Sequence, residues 1–465
     1  MRHILFLFTL ACAAGCCFAA VPANILAADK PNIVIFLADD LGWADVGWHA
    51  GSATTGKIKT PNLDKLAASG LKLEQFYVQP VCSPTRASLM TGRYTIRYGL
   101  QTGVIRPWAN YGLSAEEQTL ANVLHDAGYY TAAVGKWHLG HVQKKYQPIQ
   151  RGFDYHYGLY NGAFDYYTHQ RDSGLDWHRN GVPVREEGYS TDLLADDAVR
   201  IIQKHDKVKP LFLYIPFNAV HGPYQAAPNE ELNSQYKDLP GTETRRTYAG
   251  MVAAMDAAIG RVVEALEEKG LRDDTLIFFS SDNGGPNPKK ITDNGELRAG
   301  KGTLYEGGVR VPAFITWNGK IKPDGTSKEL IHITDLYPTL LGILGVSAQQ
   351  RLPLDGVNQE ETILGGKASA RKELLHNAEE NRGAIRVENW KLILTNLDKP
   401  NQAKRELFNL ADDPNEKNDL AATQPEKLKE LLERYEFYAK QAVPALLSGP
   451  QPKNFKAPAV WGDFD

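Results

Sequence analysis

Cys82 heads the segment Cys82-Ser83-Pro84-Thr85-Arg86, which sets a sulfur nucleophile two residues before a proline and four before an arginine. Pro84 fixes its own φ and drives Ser83 out of the α region, so the spacing predicts a thiol presented on a stiff turn. Arg86 offers a fork of N–H donors suited to a tetrahedral oxyanion. Two polar pairs, Asp39-Asp40 and Asp282-Asn283, each follow a short apolar run. If those runs are strands whose ends meet, four oxygen-bearing side chains converge and can bind a hard cation such as calcium or magnesium. Taken singly, each pair could equally cap a helix. Lys136 and His138 are two apart and share a face if the segment is extended. His221 lies in the rigid turn His221-Gly222-Pro223, and Lys301 in the flexible loop Arg298-Ala299-Gly300-Lys301-Gly302. A lone histidine is usually structural and a lone lysine usually solvated. Only as a group do these side chains read as a site.

The elements that must position them can be read from hydrophobic pattern. Asn32–Ala38 is a continuous apolar run of the kind buried on both faces in a parallel sheet. Thr60-Pro61 starts a helix with the threonine as cap, stopping at Gly70. Leu71–Tyr77 returns as a strand into the Cys82 turn, and a helix follows. Ser114-Ala115-Glu116-Glu117 reads as a capping box for the helix reaching Ala127-Gly128. Tyr130–Val134, Leu211–Phe217 and Leu276–Ser280 read as buried strands, with Val309–Thr316 as one more despite Pro312. Thr191–His205 and Thr244–Lys269 read as helices. Strands alternating with helices predict an α/β fold with a mostly parallel sheet, and the polar residues fall just past the carboxyl ends of its strands, where such sheets place their sites. Past Gly365 the pattern changes. Ala384–Leu394 alternates as one antiparallel strand, Glu406–Leu410 precedes a turn, and Glu426–Gln441 is a helix. The expected division is 1–28 as a signal, 29–365 as the catalytic α/β domain and 366–465 as a smaller α+β domain with a proline-rich, extended tail from Ser448.

Composition narrows the function. With 465 residues, a net charge of −3 and balanced acid and base, the chain has no electrostatic case for nucleic acid. No apolar run beyond the N-terminal segment is long enough to span a bilayer. That segment, with Arg2 and His3 ahead of Ile4–Ala14 and small residues at Ala19-Ala20 and Ala27-Ala28, reads as an export signal, with the cleavage site left open. Ala13-Ala14-Gly15-Cys16 also resembles a bacterial lipobox lacking its usual leucine, so lipid attachment at Cys16 is a second route. Three of the four cysteines lie in this segment. The mature chain keeps Cys82 alone and can form no internal disulfide. An exported protein, periplasmic or extracellular, is expected.

Cys-x-Pro-x-Arg continued by Thr91-Gly92-Arg93 resembles the signature of the type I sulfatases. Pro31–Gly42, Val134–Gly140, Asp282–Gly285 and Tyr305–Arg310 are similar to segments of the same family. Arg246–Val252, Leu330–Asp335, Leu374–Asn377 and Ala384–Leu392 look most like the arylsulfatase B branch, the N-acetylgalactosamine-4-sulfatase type. The resemblance implies an alkaline-phosphatase-like fold. It implies that Cys82 is oxidised to formylglycine (3-oxoalanine) by a formylglycine-generating or sulfatase-maturating enzyme, which nothing in the physics of these residues predicts. It implies one calcium ion held by Asp39, Asp40, Asp282, Asn283 and the modified Cys82. Arg86 then steadies the aldehyde hydrate, Lys136 and His138 match the Gly-Lys-Trp-His-Leu-Gly pair, and His221 and Lys301 hold the sulfate and the leaving oxygen. The implied mechanism is two-step covalent catalysis on a sulfated carbohydrate, a hexosamine or galactose unit of a glycan. A phosphate or phosphonate ester hydrolase of the same superfamily and a non-catalytic glycan-binding relative are the competing readings. Phe153–His169, crowded with tyrosines, either stacks on sugar rings or packs a loop.

Overall fold

The computed structural model describes residues 30–49, 56–287, 290–347 and 352–462. The expected export signal, its cleavage sites and Cys16 lie outside the described residues. A sheet of ten strands runs through the molecule. In chain order these are β1 (Asn32–Ala38), β2 (Leu71–Leu73), β3 (Tyr130–Lys136), β4 (Tyr155–Leu159), β5 (His178–Arg179), β6 (Val182–Pro183), β7 (Leu211–Pro216), β8 (Thr275–Ser281), β9 (Ala313–Thr316) and β10 (Gly325–Ser327). Their spatial order is β10-β2-β9-β8-β1-β7-β3-β4-β5-β6. The central run β8-β1-β7-β3-β4 is parallel, and both margins turn antiparallel.

Alternation along β1 shows why this strand is apolar throughout. Val34, Phe36 and Ala38 face one hydrophobic core, Ile33, Ile35 and Leu37 the other. Helices α1 (Pro61–Ala68), α4 (Ser190–Lys204) and α5 (Glu243–Glu268) close the first core, and α2 (Cys82–Thr91), α3 (Leu120–Asp126) and α6 (Leu336–Ile343) the second. In the central run β8-β1-β7-β3-β4 both strand faces are covered, so these strands need no polar alternation, whereas the marginal β6 is exposed.

Several local expectations are corrected. Thr60 does not cap α1: its hydroxyl donates to Asp64, while Asp256 on α5 accepts the backbone N–H groups of Asn62 and Leu63 at 3.1 and 2.8 Å. The capping box of α3 is Thr119/Asn122 rather than one opened by Ser114, because residues 115–118 turn before the helix begins. Leu71–Tyr77 is two short strands, the second (Phe76–Tyr77) pairing with Ile331–His332. Glu306–Val309 is a helical turn, and the strand beyond it starts only after Pro312. Phe164, Tyr166 and most of the tyrosines between 153 and 169 point inward, leaving Tyr167 as the exposed one. Their role is loop packing.

The smaller C-terminal domain is an antiparallel sheet, β11 (Glu373–Ala378), β12 (Arg382–Val387), β13 (Trp390–Thr395) and β14 (Lys404–Asn409), crossed by α7 (Pro425–Ala439). The alternation at 384–394 spans two strands, β12 and β13. Glu388 takes φ 49° and turns the chain between them. The tail beyond Ser448 is irregular rather than extended, with a turn at 453–454 and one bridge at Val460, and buries Trp461 against the larger domain. No helix among the described residues is long and apolar enough to cross a membrane.

One buried network joins the C-terminal sheet to the helical turn Glu306–Val309. Lys391 on β13 lies 2.8 Å from Glu306 and 2.9 Å from Glu416, and the Glu306 N–H donates to Glu416 at 2.7 Å. Burial pushes the Glu416 carboxyl up to about 7, with Lys391 opposing. A carboxyl raised by folding contributes stability that is full below its unfolded value and lost as pH rises through about 7. Glu416→Gln, which cannot ionise, should therefore gain thermal stability relative to the native protein between pH 5 and pH 8. Thermal melts across that range check the sign.

Candidate active site

The site is built by register. Ala38 of β1 pairs with Ser281 of the parallel β8, so the residues that follow, Asp39 and Asp282, emerge side by side. Asp40 then takes φ 66°, a left-handed conformation that aspartate tolerates, and the chain turns so that both members of the pair reach one cleft. Asn283 Nδ2 donates to Asp40 at 2.8 Å, and the Asp40 N–H donates to Asp282 at 3.3 Å. Lys136 closes β3, two strands over, and forms a short ion pair with Asp39. His221 follows β7 and stands 3.7 Å from Asp40, and Lys301 reaches Asp40 at 2.6 Å from its loop.

Cys82 is the first residue of α2 itself, not of a turn ahead of it. Pro84 is harmless there because first-turn N–H groups have no intrahelical acceptor. Val81, extended at φ −149°, delivers the chain into the helix, and Gly92 ends it in the left-handed region. The thiol thus sits at the positive end of a ten-residue helix. Its Sγ lies 3.5 Å from both Asp39 and Asn283. Arg86, one turn on, grips Asp282 with Nε and Nη2 at 3.0 and 2.8 Å and donates to the Lys136 carbonyl at 2.8 Å.

His138 also takes a positive φ, 57°. Its Nε2 is 3.0 Å from the Ile105 carbonyl, which can only accept, so Nε2 carries the proton and Nδ1 is left as a lone pair. That Nδ1 is buried without a partner among the described residues. Cys82, His138, His221 and Lys301 line one cavity of about 300 Å³.

The electrostatics follow from burial. Burial alone would raise Asp39, but Lys136, His221, Arg86 and Lys301 outweigh it and hold its carboxyl far down. Asp282 is raised by burial and by Asp39, despite Arg86. Burial, with Asp282, pushes the Cys82 thiol far up, so an unmodified thiol here is neutral and a poor nucleophile. Burial, with Lys136 and Arg86, drives His138 well down and keeps the ring neutral.

The residues fit a divalent cation. Ligand atoms of Asp39, Asp40, Cys82 and His221 all lie within 4.8 Å of one another, and Asn283 touches two of the four. Asp282 stands just behind, its carboxylate taken up by Arg86 and the Asp40 N–H. Asp39, Asp40, Cys82, Arg86, Lys136, His138, His221, Asp282, Asn283 and Lys301 therefore all fall around this one cleft. Pattern missed Gly162, whose added Cβ would lie 2.3 Å from the His138 ring. Gly162→Ala should displace that imidazole and lower kcat by about 10²-fold with little change in melting temperature, which steady-state kinetics and a thermal melt will show.

A parallel core with covered faces, a cysteine at a helix N-terminus and an acidic cluster at the strand tips make up a sulfatase and alkaline-phosphatase-like fold with a candidate hydrolytic site. The Sulfatase family model matches residues 31–346, and a model described as N-sulphoglucosamine sulphohydrolase, C-terminal, matches residues 298–437. Arylsulfatase J of Mus musculus is 37% identical, over 95% of this chain and 81% of that protein. N-acetylgalactosamine-6-sulfatase of Homo sapiens is 34% identical, over 73% of this chain and 67% of that one. The crystal structure of Ps i-CgsB superposes with a TM-score of 0.81 at 34% identity, covering 89% of this chain and 94% of that one, and the same protein has been solved in complex with k-i-k-neocarrahexaose. The chain belongs to the sulfatase family and is a sulfuric ester hydrolase.

Proposed function

We propose that this sulfatase removes sulfate from a carbohydrate, a hexosamine or galactose unit of a glycan, using a formylglycine made from Cys82 beside a calcium ion. The observation that carries this is the position of Cys82. It lies at a helix N-terminus 3.5 Å from Asp39 and Asn283, on the wall of a cavity shared with His138, His221 and Lys301. The carbohydrate reading is supported by relatives named for N-acetylgalactosamine-6-sulfate and solved with a neocarrahexaose.

Asp39, Asp40, Asp282, Asn283 and residue 82 would hold the ion, which would supply Lewis-acid charge to the sulfate oxygens. The aldehyde's chemistry is its hydrate, which offers one hydroxyl to attack sulfur and a second by which the sulfate is later expelled. The remaining work falls to side chains. Three carboxylates, Asp39, Asp40 and Asp282, are matched by Arg86, Lys136 and Lys301. A divalent ion gives the cleft a net positive charge that suits an anionic ester and the charge growing on its oxygens. Asp282 takes the first proton, with Arg86 fixing its orientation. Lys136 and Lys301 hold sulfate oxygens. His221, whose Nδ1 donates to the Gly222 carbonyl at 2.6 Å, presents Nε2 to the leaving oxygen, with Lys301 as the other donor. His138 Nδ1 accepts the second hydroxyl's proton. Cys82 is buried inside the fold, so its maturating enzyme must meet the chain before folding is complete. Export to the periplasm or beyond is part of the same proposal, with lipid attachment at Cys16 as the alternative to removal of the whole 1–28 signal.

The test is parallel assay of an aryl sulfate and an aryl phosphate with calcium present, on protein coexpressed with a maturating enzyme. Release of sulfate well ahead of phosphate is expected. Preferential phosphate release overturns the reading.

A further inference from the structure

We infer that Arg106 and Arg171 form a second anion site at the mouth of the catalytic cavity, so that this sulfatase selects glycan units carrying another anionic group near the sulfate it removes. The inference rests on the function proposed above and names the substrate class for that same site.

Both arginines line the cavity that holds Cys82, His138 and Lys301, and no carboxylate is among the described residues lining it. Neither is needed for the reacting sulfate, whose counter-charges are Lys136, Lys301 and the proposed ion. Arg106 is exposed, and its guanidinium makes no hydrogen bond or ion pair among the described residues. Among the described residues Arg171 pairs only with its neighbour Asp172, at 3.1 Å on the surface, and donates weakly to the Ala163 carbonyl at 3.4 Å. An exposed pair of that kind is worth little and is readily exchanged for a ligand.

Their placement is fixed although their side chains are open. Ile105, before Arg106, donates its N–H to Ser83 at 3.1 Å and offers its carbonyl to His138. Pro107, after it, accepts from His141 at 3.0 Å, and the Arg106 N–H itself donates to Ser448 at 3.3 Å. The Arg106 backbone is thereby tied to the residue following the nucleophile and to the proposed base. Arg171 lies in a two-stranded hairpin with Gly174-Leu175, and its carbonyl accepts from the buried Trp461 indole at 2.8 Å. The C-terminal tail thus braces both: Ser448 behind the Arg106 segment, Trp461 behind the Arg171 hairpin. Two guanidinium forks held on braced backbone, facing a cavity that already takes one sulfate, suit a second sulfate or a carboxylate.

The experiment compares kcat/KM for three substrates: a galactose monosulfate, a disaccharide with two sulfates, and a disaccharide with one sulfate and one uronate carboxylate. It uses the native enzyme, Arg106→Gln, Arg171→Gln, the double variant, and Arg171→Lys as a charge-retaining control. Native enzyme should favour a doubly charged substrate by about 10–100-fold, mainly through KM. The two doubly charged arms show whether the second anion is sulfate or carboxylate. Each glutamine variant should cut that preference about tenfold, and the lysine variant should cut it less. Rising salt should erode the preference in the native enzyme. Turnover with no native preference, or a preference unchanged in the double variant, overturns the inference and leaves the sulfatase reading intact. Equal losses on all three substrates also overturn it, since the arginines would then serve the reacting sulfate. Absence of sulfate release from all three by native enzyme overturns both.

Discussion

Cys82→Ala lowers sulfate ester hydrolysis by roughly 10⁴–10⁶-fold while leaving the fold in place. The side chain occupies a closed corner against Asp39 and Asn283, so alanine removes the nucleophile position without opening the core to water. Loss of one small buried group should move the melting temperature by only a few degrees, about 1 kcal/mol. Cys82→Ser, made without modifying chemistry, tests more. Serine can attack sulfur once, but it has no second hydroxyl with which to expel the sulfate. The expected result is release of no more than one equivalent of alcohol and a protein heavier by about 80 Da, the added sulfuryl group. Sustained turnover by the serine variant would contradict the proposed mechanism.

Removal of the divalent ion is the second large effect. Chelation should abolish turnover, a loss of more than about 10²-fold, because the cleft returns to balance between three carboxylates and three cations and no surplus charge meets the ester. The fold should survive, since Arg86, Lys136 and Lys301 still pair every carboxylate. Melting temperature should fall only by the binding linkage, about 3–4 kcal/mol if the ion is present at 10²–10³ times its dissociation constant. Calcium should restore activity. Full activity after exhaustive chelation, verified by elemental analysis, would exclude a metal role.

Much of this site was legible in sequence because it lies at strand ends. Apolar runs closed by Asp39-Asp40 and Asp282-Asn283 are local signals, and parallel pairing of their strands brings them together without further information. The parallel core was legible for the same reason: strands buried on both faces lose polar alternation. What escaped depends on partners remote in the chain. Asp256 caps α1 from 194 residues away, where Thr60 was the local candidate. The aromatics from 153 to 169 look like a sugar platform until Trp177, stacked on Phe164 and His169, turns part of that stretch into core. The β12–β13 turn hides inside an unbroken alternation because Glu388 takes a positive φ without a glycine to mark it. Arg106 and Arg171 have no motif at all. Only the braced loops around them bring two open guanidinium groups to the same cavity.

The most direct test is the mass of the peptide containing residue 82, taken from active enzyme. Conversion of the cysteine to an aldehyde lowers that mass by about 18 Da, and the converted fraction should scale with specific activity across preparations. Full sulfatase activity from protein whose residue 82 is an intact thiol would contradict the account.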